Sequence, residues 1–86
     1  MSSVQDVADA AYRIQESSKG LLQRTLVCAD SLRTHSARLA QTVHGSRTGE
    51  EAVARVNQAE REARDCAAAL LTLDSNIDGF IRDLIK

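Results

Sequence analysis

Two long segments with a regular apolar periodicity meet at one short stretch, His44-Gly45-Ser46-Arg47-Thr48-Gly49-Glu50-Glu51. Gly45 follows the first segment at a place where helices often end in a left-handed residue, a conformation that favours glycine. Thr48 and Glu51 have the spacing of a capping box, with threonine as the N-cap and glutamate as the N3 residue of a new helix. The stretch therefore predicts the tip of a helical hairpin, with residues 44–48 between the two helices.

Apolar and small residues recur at steps of three and four along both segments, which is the heptad spacing of helices that pack along one seam. The first stripe consists of Val4, Val7, Ala11, Ile14, Ser18, Leu21, Thr25, Cys28, Leu32, His35, Leu39 and Thr42. The second consists of Ala52, Val56, Ala59, Ala63, Cys66, Leu70, Leu73, Ile77, Phe80 and Leu84. We therefore predict an all-α fold: an antiparallel, coiled-coil-like two-helix hairpin that forms a single domain over residues 1–86, with helices at 3–43 and 49–85.

The two stripes mirror each other across the tip. In an antiparallel hairpin, residues at one level have position numbers with a nearly constant sum, because both helices rise by the same 1.5 Å per residue. Ile14 with Phe80 and Cys28 with Cys66 both give 94, and the layers between such pairs give 95. This register predicts that the centre of the hairpin lies at Arg47-Thr48.

The helix ends and weak points can also be read from the sequence. Ser2 or Ser3 can cap the first helix, since each has a polar or acidic residue three positions on. Glycine costs about 1 kcal/mol inside a helix, so Gly20 is the weak point of the first helix. The segment Asn76–Gly79 leaves open a break of the second helix into a short third one.

Bulk composition excludes several classes of protein. The 86 residues carry a net charge of −1 with both signs interspersed, which argues against nucleic acid as the partner. No apolar run approaches the roughly 18 residues that a membrane span needs. The first residues lack the basic and apolar regions of a signal peptide. We therefore expect a cytoplasmic protein, or one secreted without a cleaved signal peptide.

More apolar residues are present than a two-helix seam can bury. A lone two-helix core of this size is marginal, and a wider apolar face suits packing in a bundle. We therefore expect two hairpins to pair into a four-helix bundle, as a homodimer or a heterodimer, through this leftover apolar stripe. The residues predicted to bind the partner are Leu22, Leu26, Val43, Val53, Leu71, Ile81 and Ile85.

No catalytic, cofactor-binding or metal-binding motif is present, so we expect no enzyme activity. Cys28 and Cys66 share a predicted layer and leave two alternatives open. They are buried free thiols in a reducing cytosol, or they form a disulfide if the protein is exported. His35 is predicted to be a polar seam residue that sets the register or the choice of partner, and Asp74 and Asp78 are predicted to lie on a solvated face.

A proline-free chain of this length, with a glycine-containing hairpin tip, resembles the Trp-x-Gly helical-hairpin family of type VII secretion substrates and partners. The chain resembles a divergent member without the tryptophan, because His44-Gly45-Ser46 stands where the family has Trp-x-Gly. The Tyr-x-x-x-Asp/Glu signal, which the family places after its second helix, is matched by Tyr12 and Glu16 in the first helix. The resemblance implies a four-helix dimer, export without a cleaved signal peptide, and service as a targeting partner for a toxin.

The sequence thus predicts a non-enzymatic protein–protein interaction module, a small helical-hairpin partner or adaptor associated with type VII secretion of a toxin. Two other interpretations stay open. The first is a structural, self-assembling coiled-coil homodimer. The second is a small helical chaperone or antitoxin-like binder.

Overall fold

The computed structural model describes residues 3–86, which form two helices, α1 (Val4–Thr42) and α2 (Arg47–Leu84). The helices pack against each other into a rod of 63 × 18 × 15 Å. The predicted all-α helical hairpin is therefore confirmed. Both helices are continuous, so neither Gly20 nor the Asn76–Gly79 segment interrupts them.

Helix α1 begins with a reciprocal capping box. The Ser3 hydroxyl accepts a hydrogen bond from the Asp6 backbone N–H at 3.0 Å, and the Asp6 carboxylate accepts one from the Ser3 N–H at 3.3 Å. Two N–H groups that the helix itself cannot satisfy are thereby paired. Of the two predicted caps, Ser3 is the one observed, and Ser2 lies outside the described residues.

The tip is a tighter turn than the sequence predicts. The Ser46 N–H donates to the Val43 carbonyl at 3.0 Å, and Gly45 between them has a φ of 85°, which confirms the left-handed glycine. The Ser46 hydroxyl then accepts the Gly49 N–H at 3.2 Å, so Ser46 is the N-cap of α2. The prediction of Thr48 as N-cap is wrong, because the four-residue turn is complete at Ser46 and the helix starts two residues earlier.

The close approach of the two helices at the tip depends on Gly49. A Cβ atom at Gly49 would lie 2.6 Å from Val43 Cγ2, which is much closer than non-bonded carbon atoms approach each other. The numbers of these two residues add to 92, compared with the 94 and 95 predicted. The hairpin is therefore centred on Ser46, about one residue before the predicted centre.

The seam between the helices follows one half of each predicted stripe and departs from the other half by one residue. The half that agrees comprises Ala11, Ser18, Thr25, Leu32 and Leu39 on α1 and Val56, Ala63, Leu70, Ile77 and Leu84 on α2. The other seam positions are Ala8, Gln15, Leu22, Ala29, Ser36 and Val43 on α1 and Val53, Glu60, Ala67, Asp74 and Ile81 on α2. At each of these positions, the residue that the sequence analysis assigned to the seam is the one immediately preceding in the chain. Most of these preceding residues are exposed.

The resulting core is built from small and polar side chains. The buried apolar residues are Ala8, Ala11, Ala29, Ala67 and Ile81, and the buried polar ones are Gln15, Ser18 and Ser36. Ser18 Oγ and Asp74 Oδ1 are buried without a hydrogen-bond partner. The prediction that Asp74 lies on a solvated face is therefore wrong, since this carboxylate occupies a seam position.

Candidate interaction face

One flank of the seam is exposed and apolar, and we call it the open face. It consists of the residues directly before seam positions, namely Ile14, Leu21 and Cys28 on α1 and Cys66, Leu73 and Phe80 on α2. Ile14 and Phe80 line one groove of about 230 Å³, whose other lining residues are Ala11, Asn76 and Ile77. The remaining members follow at intervals of seven residues along each helix, which keeps them on the same flank.

On the opposite flank, polar residues directly after seam positions bond to one another or to the polar seam residues Gln15, Ser36 and Glu60, and we call this flank the bridged face. Four polar contacts cross between the helices there: Gln15 to Asp78 (2.5 Å), Ser36 to Asn57, Arg33 to Glu60 (3.8 Å) and Arg64 to Asp30 (3.1 Å). The position numbers of these pairs add to 93 or 94, so the contacts connect residues at nearly the same level. They close this side of the hairpin with hydrogen bonds and ion pairs.

Arg64 organises the middle of the bridged face. Its Nε donates to Glu60 at 2.8 Å and its Nη2 to Asp30 at 3.1 Å. The hydrogen bond to Glu60, followed by that to Asp30, raises the pKa of the Arg64 guanidinium above its ordinary value. Because exposed ion pairs contribute little net stability, we assign this cluster mainly to orienting the two helices.

The open face has no such contacts among residues 3–86. All hydrogen bonds and ion pairs between the helices in that range belong to the bridged face. The large side chains of the open face are instead about half exposed, for example Ile14 at 57% and Phe80 at 50%. An exposed, contiguous apolar face is unusual for a chain that acts alone, and typically marks an interaction site.

The seven residues predicted to bind a partner divide into two groups in the structure. Ile81 is buried, and Leu22, Val43 and Val53 are half-buried, all four at seam positions between α1 and α2. The other three, Leu26, Leu71 and Ile85, are exposed on the same flank as the polar bridges. Sequence reasoning placed the open-face residues in the seam, although their mirrored spacing was the signal that they lie side by side.

The cysteines and His35 also differ from their predicted places. Cys28 and Cys66 are free and exposed, which corrects the interpretation of them as buried thiols. His35 is exposed, with its Nδ1 2.7 Å from the Ser31 carbonyl oxygen, and the seam residue at this level is Ser36. The prediction that His35 sets the register from within the seam is therefore wrong.

Among residues 3–86 no three His, Cys, Asp or Glu side chains are grouped in a way that could hold a metal ion. Over the same range, neither helix has a stretch that is long and apolar enough to cross a membrane. No family model, curated protein or solved structure matches the chain.

Proposed function

We propose that this protein is a non-enzymatic interaction module whose open face binds a second helical hairpin and completes a four-helix bundle. The observation that carries the proposal is the set of large apolar side chains that lie outside the hairpin's own seam. Apart from Ile81, the buried seam residues are alanine, serine and glutamine, whereas Ile14, Leu21, Leu73 and Phe80 are about half exposed. Burial of these four side chains requires a partner.

The energetics favour such an association. Full burial of an aliphatic or aromatic side chain contributes about 1.5–3 kcal/mol, so the four half-exposed residues offer roughly 3–6 kcal/mol per protomer. The six open-face residues span positions 14–28 and 66–80, about 21 Å of the rod at 1.5 Å per residue. With the rod's width of 18 Å, this part covers roughly 400 Å², so a standard interface of about 800 Å² per partner would extend along the same flank beyond it.

The bridged face is a poorer docking surface. A partner placed there would desolvate the charged groups of Arg33, Asp30 and Arg64, and burial of ion pairs is costly. The six residues that define the open face include no acidic or basic side chain. This difference in desolvation cost selects the open face as the binding side.

We place the partner in one of two classes: a second copy of this chain, or a related hairpin of a type VII secretion system. The second class would make the protein an adaptor for a secreted toxin, exported without a cleaved signal peptide. The first would make it a self-assembling structural dimer in the cytoplasm. The hairpin length and the glycine-containing tip motivate the secretion proposal, and the continuous open face motivates both.

A pair of matched variants tests the docking side. Leu21→Lys with Leu73→Lys puts two charges on the open face, and Leu26→Lys with Leu71→Lys puts two charges at exposed leucines on the bridged flank. We expect light scattering to show that the first variant loses an association that the wild type and the second variant retain. The partner can be the purified chain itself or a protein from the native host.

Photo-crosslinking identifies the occupant. A photoreactive residue at Leu73, in the native host, should give an adduct of twice the chain mass for self-pairing, or an adduct with a different helical protein for the adaptor role. The same residue at Leu71 serves as control. A wild-type chain that is a cooperatively folded monomer at micromolar concentration, with no adduct specific to Leu73, would overturn the proposal.

A further inference from the structure

We infer that Cys28 and Cys66 form a redox-active thiol pair that closes into a disulfide between α1 and α2 under oxidising conditions. Both thiols are free and exposed, and both belong to the open face. The inference concerns the hairpin without a bound partner, because a partner on the open face would cover both thiols. It therefore stands or falls separately from the proposed docking function.

The register of the hairpin brings the two cysteines side by side. Ile14 and Phe80 are neighbours across the seam, because they line the same groove. Cys28 lies two heptads after Ile14, and Cys66 lies two heptads before Phe80. In an antiparallel pair of helices, equal steps in opposite directions along the chain lead to the same level. The cysteines therefore lie across from each other on the same flank. Their position numbers add to 94, compared with 92 for Val43 and Gly49, which corresponds to an offset of about 3 Å along the rod.

The residues beside the pair allow the two backbones to approach closely. The seam positions that adjoin the cysteines are Ala29, which is fully buried, and Ala67, which is 4% exposed. Helices with small residues in contact pack at the lower end of the 8–10 Å range of axis separations. Since each Cα lies about 2.3 Å from its axis, flanking Cα atoms on one side are separated by about 7–8 Å.

Together with the offset along the rod, the separation of the two Cα atoms is about 7.5–8.5 Å. Disulfides usually join Cα atoms that are 4.4–6.8 Å apart, so closure requires a movement of roughly 1–2 Å. With glutathione disulfide as the oxidant, one cysteine thiolate attacks a sulfur of the glutathione disulfide. This step forms a mixed disulfide with the protein and releases one reduced glutathione. The second thiolate then attacks the protein sulfur of this mixed disulfide and displaces a second reduced glutathione. Two thiols are thereby oxidised, and one glutathione disulfide is reduced.

The test uses the full chain, first reduced and then incubated with glutathione disulfide. We expect the main product to have an intact mass about 2 Da lower, which corresponds to one disulfide and no added glutathione. This product should no longer react with maleimide. Its thermal midpoint should rise and return to the starting value after reduction, because the bond constrains the unfolded chain.

A matched control moves one thiol by a single residue. The variant Cys28→Ser with Val27→Cys keeps the level but places the thiol at an exposed position that is not on the open face. We expect it to accumulate glutathione adducts when folded, and to bridge as readily as the wild type in denaturant. The inference is overturned if the folded wild type yields mainly glutathione adducts or interchain dimers, or bridges no better than this control.

Discussion

Gly49 and Gly20 are both helical glycines, but their surroundings differ. A methyl group added at Gly20 would have the flexible Arg24 guanidinium as its nearest neighbour, at 3.5 Å, whereas one added at Gly49 would overlap Val43. We expect Gly20→Ala to raise the free energy of unfolding by about 0.5–1 kcal/mol, through helix propensity. Gly49→Ala should lower it by about 1–3 kcal/mol, because overpacking outweighs the same propensity gain. Urea unfolding measures both.

Shortening the opposing side chain provides the control. If the overlap with Val43 is the cause, Val43→Gly, which removes the Cβ atom as well as both Cγ atoms, should recover part of the stability lost in Gly49→Ala, and the two substitutions should be non-additive. Equal stabilisation by Gly49→Ala and Gly20→Ala would contradict the close approach at the tip.

At the scale of single elements, the start of α2 distinguishes the observed cap from the predicted one. Ser46→Ala removes the acceptor of the Gly49 N–H and should cost about 1 kcal/mol of stability. Thr48→Ala alters a position inside the helix and should be neutral or slightly stabilising, because alanine is the better helix former. Thermal unfolding of the two variants decides the matter. A larger loss for Thr48→Ala would indicate that the helix begins later than Ser46.

The helices themselves were predictable because the three-and-four spacing does not depend on which neighbour a side chain contacts. Only about half of the seam positions could be predicted from the sequence. At Leu32 and Leu70 the apolar residue faces the other helix, as periodicity suggests. At the alternate positions an apolar residue such as Phe80 or Leu21 is exposed, and an equally apolar neighbour, Ile81 or Leu22, packs inward.

The physical reason is that hydrophobicity cannot distinguish burial within the chain from burial against a partner. Gln15 and Ser36 are poor candidates for a seam by polarity, but each makes a hydrogen bond across the hairpin. These hydrogen bonds join side chains that are distant in sequence, so they cannot be predicted from the periodicity of either helix alone. The sequence therefore predicts that the open-face residues mirror each other across the tip, but it does not predict that they are exposed.

At the scale of the whole molecule, the hairpin is long and thin. Its radius of gyration is 19.2 Å, compared with about 12 Å for a compact domain of this length. Helices of about forty residues are roughly 60 Å long at 1.5 Å per residue, which agrees with the 63 Å length of the rod. A rod of two helices has only one line of internal contacts, which is why so much apolar surface remains for other interactions.

The antiparallel pairing around Ser46 also has a consequence for the order of folding. Contacts beside the tip, such as Val43 with Gly49, close a very short loop, whereas those at the far end join residues such as Gln15 and Asp78. Loop-closure entropy therefore favours nucleation at the turn, followed by zipping towards the termini.

Stopped-flow kinetics can follow this zipper. Leu39→Ala, near the tip, should mainly slow folding, whereas Ile81→Ala, near the termini, should mainly speed unfolding. The reverse assignment would place the nucleus at the ends of the rod. A chain that folds from its turn keeps the large side chains of the open face apart until the last heptads have paired. The half of the rod that exposes the most apolar surface is therefore the last to become ordered.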